Sequence, residues 1–279
     1  MKKITVLILC ILVTAFNNVS AQYKISKPKK PTGRLAMTRQ QPAPKLGHMV
    51  SFKNPDSSIG QAFHLPATRR SENALLIIHE WWSLNGGIDI HVQKEAKRWQ
   101  ELLGDIDVYV LDIYDSRVAA SLDEARKLAA KVDPKRGENL VKGVINHIGQ
   151  ERRVATLGYC TGGTWAFNAA TIAGTQIAGC VMYYAEPIKN AYQIRDLHSD
   201  VFYVWATKDE HVNKVNLGTF KRRVESSGHT FQVAAFEKDH AFANKQNPMY
   251  DPASALKAEK QVVSFLKQKL MPEKIFVTK

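Results

Sequence analysis

The chain has 279 residues, 44% hydrophobic and 23% charged, an ordinary globular composition that excludes a low-complexity or wholly disordered protein. Three cysteines are too few for a disulfide scaffold, and the length is ample for a core that needs neither disulfides nor a metal. The net charge of +13 comes without aromatic residues interleaved among the basic ones, so it gives no reason to expect a nucleic-acid partner.

The chain opens with a basic "MKK", an apolar "ITVLILCILVTAF" and then "NNVSA", with Val19 and Ala21 at the −3 and −1 positions before Gln22. This pattern predicts a secretory signal peptide over residues 1–21, its apolar run too short for a spanning helix. Cys10 follows "LIL" rather than a small residue, which argues against lipid attachment. Residues 22–46 form a basic, proline-rich tract, "KPKKPTGRLAMTRQQPAPK" at its heart, expected to be a solvated linker able to touch an acidic surface. An exported protein, periplasmic or secreted, is the expectation.

A single domain is predicted over 47–279. "HMVSFK" and "QAFHLP", separated by "NPDSSIG", read as a hairpin. Then follow apolar runs typical of buried parallel strands: "ALLIIHE", "IDVYVLDIY", "RRVATLGYC", "IAGCVMYYAE", "VFYVWAT" and "TFQVAAFEKDH". Helical patterns lie between them. "IDIHVQKEAKRWQELLG" places Ile88, Val92, Ala96, Trp99 and Leu103 on one stripe with Gly104 as a stop, and "GGTWAFNAATIAG" is a helix of small residues ending at Gly174. "KVNLGTFKRRVESSG" and the final "PASALKAEKQVVSFLKQKL" are amphipathic, the latter with Leu256, Val263, Phe265, Leu266 and Leu270 able to share a face. The alternation predicts an α/β fold, a mostly parallel, doubly wound sheet of about eight strands that begins with an antiparallel hairpin.

"GYCTGG" puts Cys160 on the turn between a strand and a helix. A nucleophile on so sharp a turn needs neighbours without side chains, and the helix N-terminus beside it offers unpaired N–H groups and partial positive charge. Both favour a thiolate and an oxyanion. By composition, G-x-C-x-G is expected about 0.01 times in such a chain, so its place after a strand carries weight. The competing reading is a small buried cysteine beside packing glycines. Cys160 and Cys180 are expected to be free thiols. A nucleophile needs a base and the base an orienting acid. Asp209, after "VFYVWA", is the acid at the expected distance from a strand end, ahead of Glu210. Of nine histidines, only His240 stands just past the last core strand, while His211 lies beside the acid loop. Glu80 closes the strand "ALLIIHE" at the edge where such a site forms.

The pieces "IIHEWWSLNGGI", "VLDIY", "GYCTGG", "ATKDEHV" and "DHAF", in that order, resemble the dienelactone hydrolase family of α/β-hydrolases from the hairpin to the last helix. The resemblance implies an α/β-hydrolase fold, a Cys160–His240–Asp209 triad and a thioester acyl-enzyme, with no metal or organic cofactor. It further implies that Glu80 controls when the thiol becomes a thiolate, and that the oxyanion is held by the backbone N–H groups of Trp81 and Thr161. The implied substrate is a small ester or lactone.

Family members acting on carboxylated lactones hold the carboxylate with two arginines. Here Arg117 comes slightly later than the pattern, and Asn244, beside Lys245, occupies the other place. An asparagine cannot make a bidentate ionic contact. Trp81, Trp82, Tyr114 and Phe242 are the aromatic candidates for substrate contact, with Trp165 nearby. Two further readings stand beside the esterase: a carboxylesterase or deacetylase acting on acylated polysaccharide, and a catalytically silent binding protein. The sequence is silent on oligomeric state.

Overall fold

The computed structural model describes residues 47–80, 90–117, 119 and 122–272. The leader at 1–21, the basic tract at 22–46, and Trp81, Trp82 and Ile88 lie outside the described residues.

Strands β1 (His48–Lys53) and β2 (Ile59–Leu65) form the expected hairpin, Met49 opposite Phe63 and Phe52 opposite Gly60. Strand β2 also runs antiparallel to β4 (Asp107–Leu111). All remaining pairings are parallel. Strand β3 (Asn73–Ile78) sits between β4 and β5 (Arg153–Tyr159), and β6 (Ile177–Tyr183), β7 (Val201–Ala206) and β8 (Phe231–Phe236) continue to the far edge. The order is β1-β2-β4-β3-β5-β6-β7-β8. The chain leaves β3 toward β4 and then returns past it to β5, so the loops after β3 and β5 diverge and open a crevice at the carboxyl edge.

The sheet is buried on both faces because its strands are apolar at successive positions. Leu75 and Ile77 of β3 join one core with Trp99 and Leu103 of α1 (Ile90–Leu103) and Phe265 and Leu266 of α7 (Pro252–Leu270). Leu76 and Ile78 point the other way. They join Leu140 and Val144 of α3 (Pro134–Ile148), Phe167 of α4 (Thr161–Ala173) and Phe220 of α6 (Lys214–Ser226). Fully burying a side chain such as Leu103 contributes about 2 kcal/mol.

Three α-helices were not anticipated: α2 (Leu122–Ala130), α3 and a short one after β6. Asp133 and Pro134 begin α3 as a cap and first-turn proline, Asp133 accepting from Arg136 N–H at 2.7 Å. Its helical signal is masked by Gly137 and Gly143, which are there for packing: a Cβ at Gly137 would lie 2.1 Å from the Trp165 ring, and one at Gly143 2.1 Å from Asn54 Oδ1. The buried stripe of α7 also differs from expectation. Ala258, Val262, Phe265, Leu266 and Leu270 face the sheet, Val263 flanks them, and Leu256 is 47% exposed. Leu256 stands two residues from Ala258, or about 200° around the helix, which turns it outward. The short α5 (Ala191–Arg195) follows β6. Among the described residues no helix is long and apolar enough to cross a membrane.

Candidate active site

Cys160 closes β5 and opens α4 with φ 52° and ψ −125°, a conformation that costs a side-chain-bearing residue about 1–3 kcal/mol. The turn is held from both sides: Cys160 N–H donates to Tyr183 O at 2.9 Å, and Gly163 N–H donates to Cys160 O at 2.9 Å. Its glycines are steric necessities. A Cβ on Gly158 would lie 2.0 Å from Gly162 O, and one on Gly162 would lie 2.2 Å from Ile78 O. Only at glycine can α4 approach the end of β3 so closely. Thr161 is the first residue of α4, where backbone N–H groups have no partner within the helix. Cys160 is half-buried and Cys180 buried, and both are free thiols.

Asp209 follows β7. Its side chain is fully buried, with Oδ2 accepting from His240 Nδ1 at 2.6 Å and Oδ1 from His211 N–H at 2.8 Å. Glu210 and Asp239 are exposed. His240 follows β8 and faces Cys160. Burial works against its charge, but the hydrogen bonds to Asp209 and Cys160 prevail and raise its pKa to about 10. Two other rings pack edge-on against the imidazole: His211 at 5.7 Å and Tyr184 at 5.1 Å between centroids. Non-glycine residues with positive φ follow four strands at this edge: Asp115 and Ser116 after β4, Cys160 after β5, Tyr184 after β6 and Ala241 in the loop after β8. Such strain gathers where the surrounding fold holds a site in one geometry.

Glu80 is buried at the end of β3. Burial, assisted by the charge of Glu95, raises its pKa to about 8 against the opposing pull of His240 and a hydrogen bond with Asn244. Its Oε2 has no partner among the described residues. The carboxyl group is therefore mostly neutral near pH 7. The Tyr114 hydroxyl is buried against the Thr161 side chain, which leaves it far above the ordinary range, burial being the main cause. Arg117 is exposed and its Nε donates to Tyr114 O at 2.8 Å, a contact within its own turn. Phe242 is fully buried between Phe236 and Tyr184, at 5.2 and 5.9 Å, which puts its ring in the core rather than in a substrate's path. Trp81 and Trp82, expected to carry an oxyanion donor and a substrate contact, lie outside the described residues.

The fold thus brings together Cys160, Thr161, His240, Asp209 and Glu80 at one sheet edge, with Tyr114 beneath Thr161. Sequence reasoning missed Tyr184, whose position after an apolar strand reads as core, and Glu95, whose place on a polar helix reads as solvated. Among the described residues no group of three or more His, Cys, Asp or Glu is placed to hold a metal ion.

Residues 61–270 match the model of the dienelactone hydrolase family. A protein of Aquifex aeolicus (strain VF5) named carboxymethylenebutenolidase is 25% identical over 234 residues, covering 80% of this chain and 98% of that one. Among solved structures, a dienelactone hydrolase-like promiscuous phosphotriesterase from metagenomic libraries aligns over 80% of this chain and 98% of its own, with TM-score 0.64 and 16% identity. An acylaminoacyl peptidase of Pyrococcus horikoshii aligns over 80% of this chain and 41% of its own, with TM-score 0.60 and 12% identity. At those identities the structural likeness speaks for the fold alone.

Proposed function

The chain belongs to the dienelactone hydrolase family and is a carboxylic ester hydrolase, and from that premise we propose that it cleaves a small, neutral ester or lactone with Cys160 as nucleophile. The observation that carries this reading is the strained turn that sets Cys160 opposite a His240–Asp209 pair.

In the proposed cycle the thiol proton already rests on His240, whose pKa near 10 keeps it an imidazolium held by Asp209 at neutral pH. The thiolate attacks the ester carbonyl, forming a C–S bond while the carbonyl electron pair moves to oxygen. The Thr161 N–H, at the helix start and without a partner inside the helix, is the proposed donor to that oxygen. The tetrahedral adduct collapses, and His240 gives its proton to the departing alkoxide. Water, deprotonated by His240, then attacks the thioester and releases the carboxylic acid and the thiol. A removed oxyanion donor costs about 3–4 kcal/mol in such reactions. Trp81 is the second donor by family resemblance. Glu80, neutral at rest, adds no second negative charge beside the thiolate; its control of thiol ionisation is carried over from the family resemblance.

A neutral substrate is favoured over a carboxylated lactone because neither basic position is available. Arg117 is bound within its own turn, and Asn244 bonds to Glu80. The leader-like residues 1–21 support export.

The test is turnover of p-nitrophenyl acetate with and without Cys160→Ala. We expect an initial burst of p-nitrophenol, an acetylated Cys160 by mass spectrometry, and loss of both in the variant. Hydrolysis that survives Cys160→Ala overturns the assignment.

A further inference from the structure

A cavity of about 230 Å³ lies between α1 and the start of α7, and it meets the catalytic edge at Glu80. Its volume falls below the roughly 300–1,000 Å³ of a pocket for a whole ligand, so it has room for one substrate group. The inner wall is aromatic. Trp99, Tyr159 and Tyr183 lie there, and Tyr159 is the residue immediately before Cys160. The Trp99 indole N–H is shared between Glu95 Oε1 at 3.4 Å and Tyr159 OH at 3.3 Å. On the α7 side, Glu259 is held by Arg98 at 2.6 Å. Glu80, whose buried Oε2 has no partner among the described residues, faces the cavity from the triad side.

The lining carries both signs of charge in near balance. Glu95 and Glu259 stand against Arg98, Lys94 and Lys245, so the field favours neither an anion nor a cation strongly. A hydrocarbon chain would strip water from these groups and return no hydrogen bond. What suits them is a neutral group dense in hydroxyls, each able to donate to a carboxylate and accept from an ammonium, guanidinium or amide. The apolar faces of such a ring would rest against the aromatic wall.

We propose that this cavity binds the neutral polyhydroxylated part, a sugar ring or comparable polyol, of an ester whose acyl carbonyl reacts at Cys160. The inference rests on the ester hydrolysis proposed above. Glu95 is its principal acceptor, and Glu80 lines the cavity on the side nearest the triad.

The experiment compares acetate release from a monoacetylated methyl hexoside and from ethyl acetate, whose alcohol is too small to fill the cavity. It uses the full chain and two variants. Glu95→Ala removes the acceptor. Ala255→Trp, at a half-buried position of α7 that lines the cavity, fills the space. We expect the wild type to prefer the hexoside ester, and the ratio of the two kcat/KM values to fall at least tenfold in each variant, the size of one lost charge-assisted hydrogen bond. In Ala255→Trp the loss should appear in KM. A ratio unchanged by Ala255→Trp, or a wild type that hydrolyses ethyl acetate but not the hexoside ester, overturns the proposal while leaving the esterase reading intact. Failure of the esterase reading shows differently, as acetate release from either ester that survives Cys160→Ala.

Discussion

His240 Nδ1 lies 2.6 Å from Asp209 Oδ2, although 31 residues separate them in sequence. An ionised carboxylate can only accept, which assigns the proton in this contact to Nδ1. With Nδ1–H donated to Asp209, the other ring nitrogen is left for Cys160, and the imidazole cannot rotate without breaking a bond to a fully buried carboxylate.

The first prediction concerns this imidazole. Burial lowers its proton affinity, but Asp209 and Cys160 together raise its pKa to about 10 from an ordinary 6.5. A raised folded-state value stabilises the fold fully below pH 6.5, and that contribution fades as pH climbs through 10. In Cys160→Ala the thiol's share disappears, so the midpoint of the His240 ring signal in an NMR titration should move down. An unmoved midpoint would mean that the imidazole and the thiol do not interact.

The second prediction concerns Glu80. Its folded-state pKa of about 8 exceeds the ordinary 4.5, with burial as the leading cause. The folded state then holds a proton that the unfolded state has released, so stability falls as pH rises from 4.5 to 8. The total is at most about 5 kcal/mol. Glu80→Gln lacks this ionisation. Urea melts of the two proteins should diverge steadily between pH 5 and pH 9 in the variant's favour. Parallel pH profiles would show that Glu80 stays charged when folded.

The third prediction tests the close approach of α4 to β3. In Gly162→Ala the new methyl would lie 2.2 Å from Ile78 O and 2.6 Å from His79 O, both backbone atoms. The expected destabilisation is about 3 kcal/mol, with a loss of activity larger than the loss of folded protein accounts for. A variant with wild-type stability and turnover would show that the turn can relax.

Much of this organisation is legible in the residues, and the reasons are physical. Gly158 and Gly162 are visible because a backbone constraint admits only one residue type. The strands are visible because burial on both faces makes them uniformly apolar, and Asp209 and His240, the proposed acid and base, stand out because each comes a few residues after such a strand. The helix at Pro134–Ile148 escapes notice because its packing demands glycine at two interior positions, against helical propensity. Glu95 escapes because only one of its partners, Trp99, is local: the Tyr159 hydroxyl is 64 positions away and meets it only in the folded chain. No periodicity marks such a contact.

Among the described residues, strand β8, which precedes His240, is both the last strand and an outer edge of the sheet. During synthesis from the N-terminus, the central strands and the turn bearing Cys160 emerge first, and the base arrives only with the final edge. On the triad proposed above, a nascent chain carries its thiol without the imidazole that would ionise it. Fragments ending before His240 should be inert, however well their central strands assemble. With His240 as the proposed base, hydrolytic competence is acquired in one late step rather than by degrees.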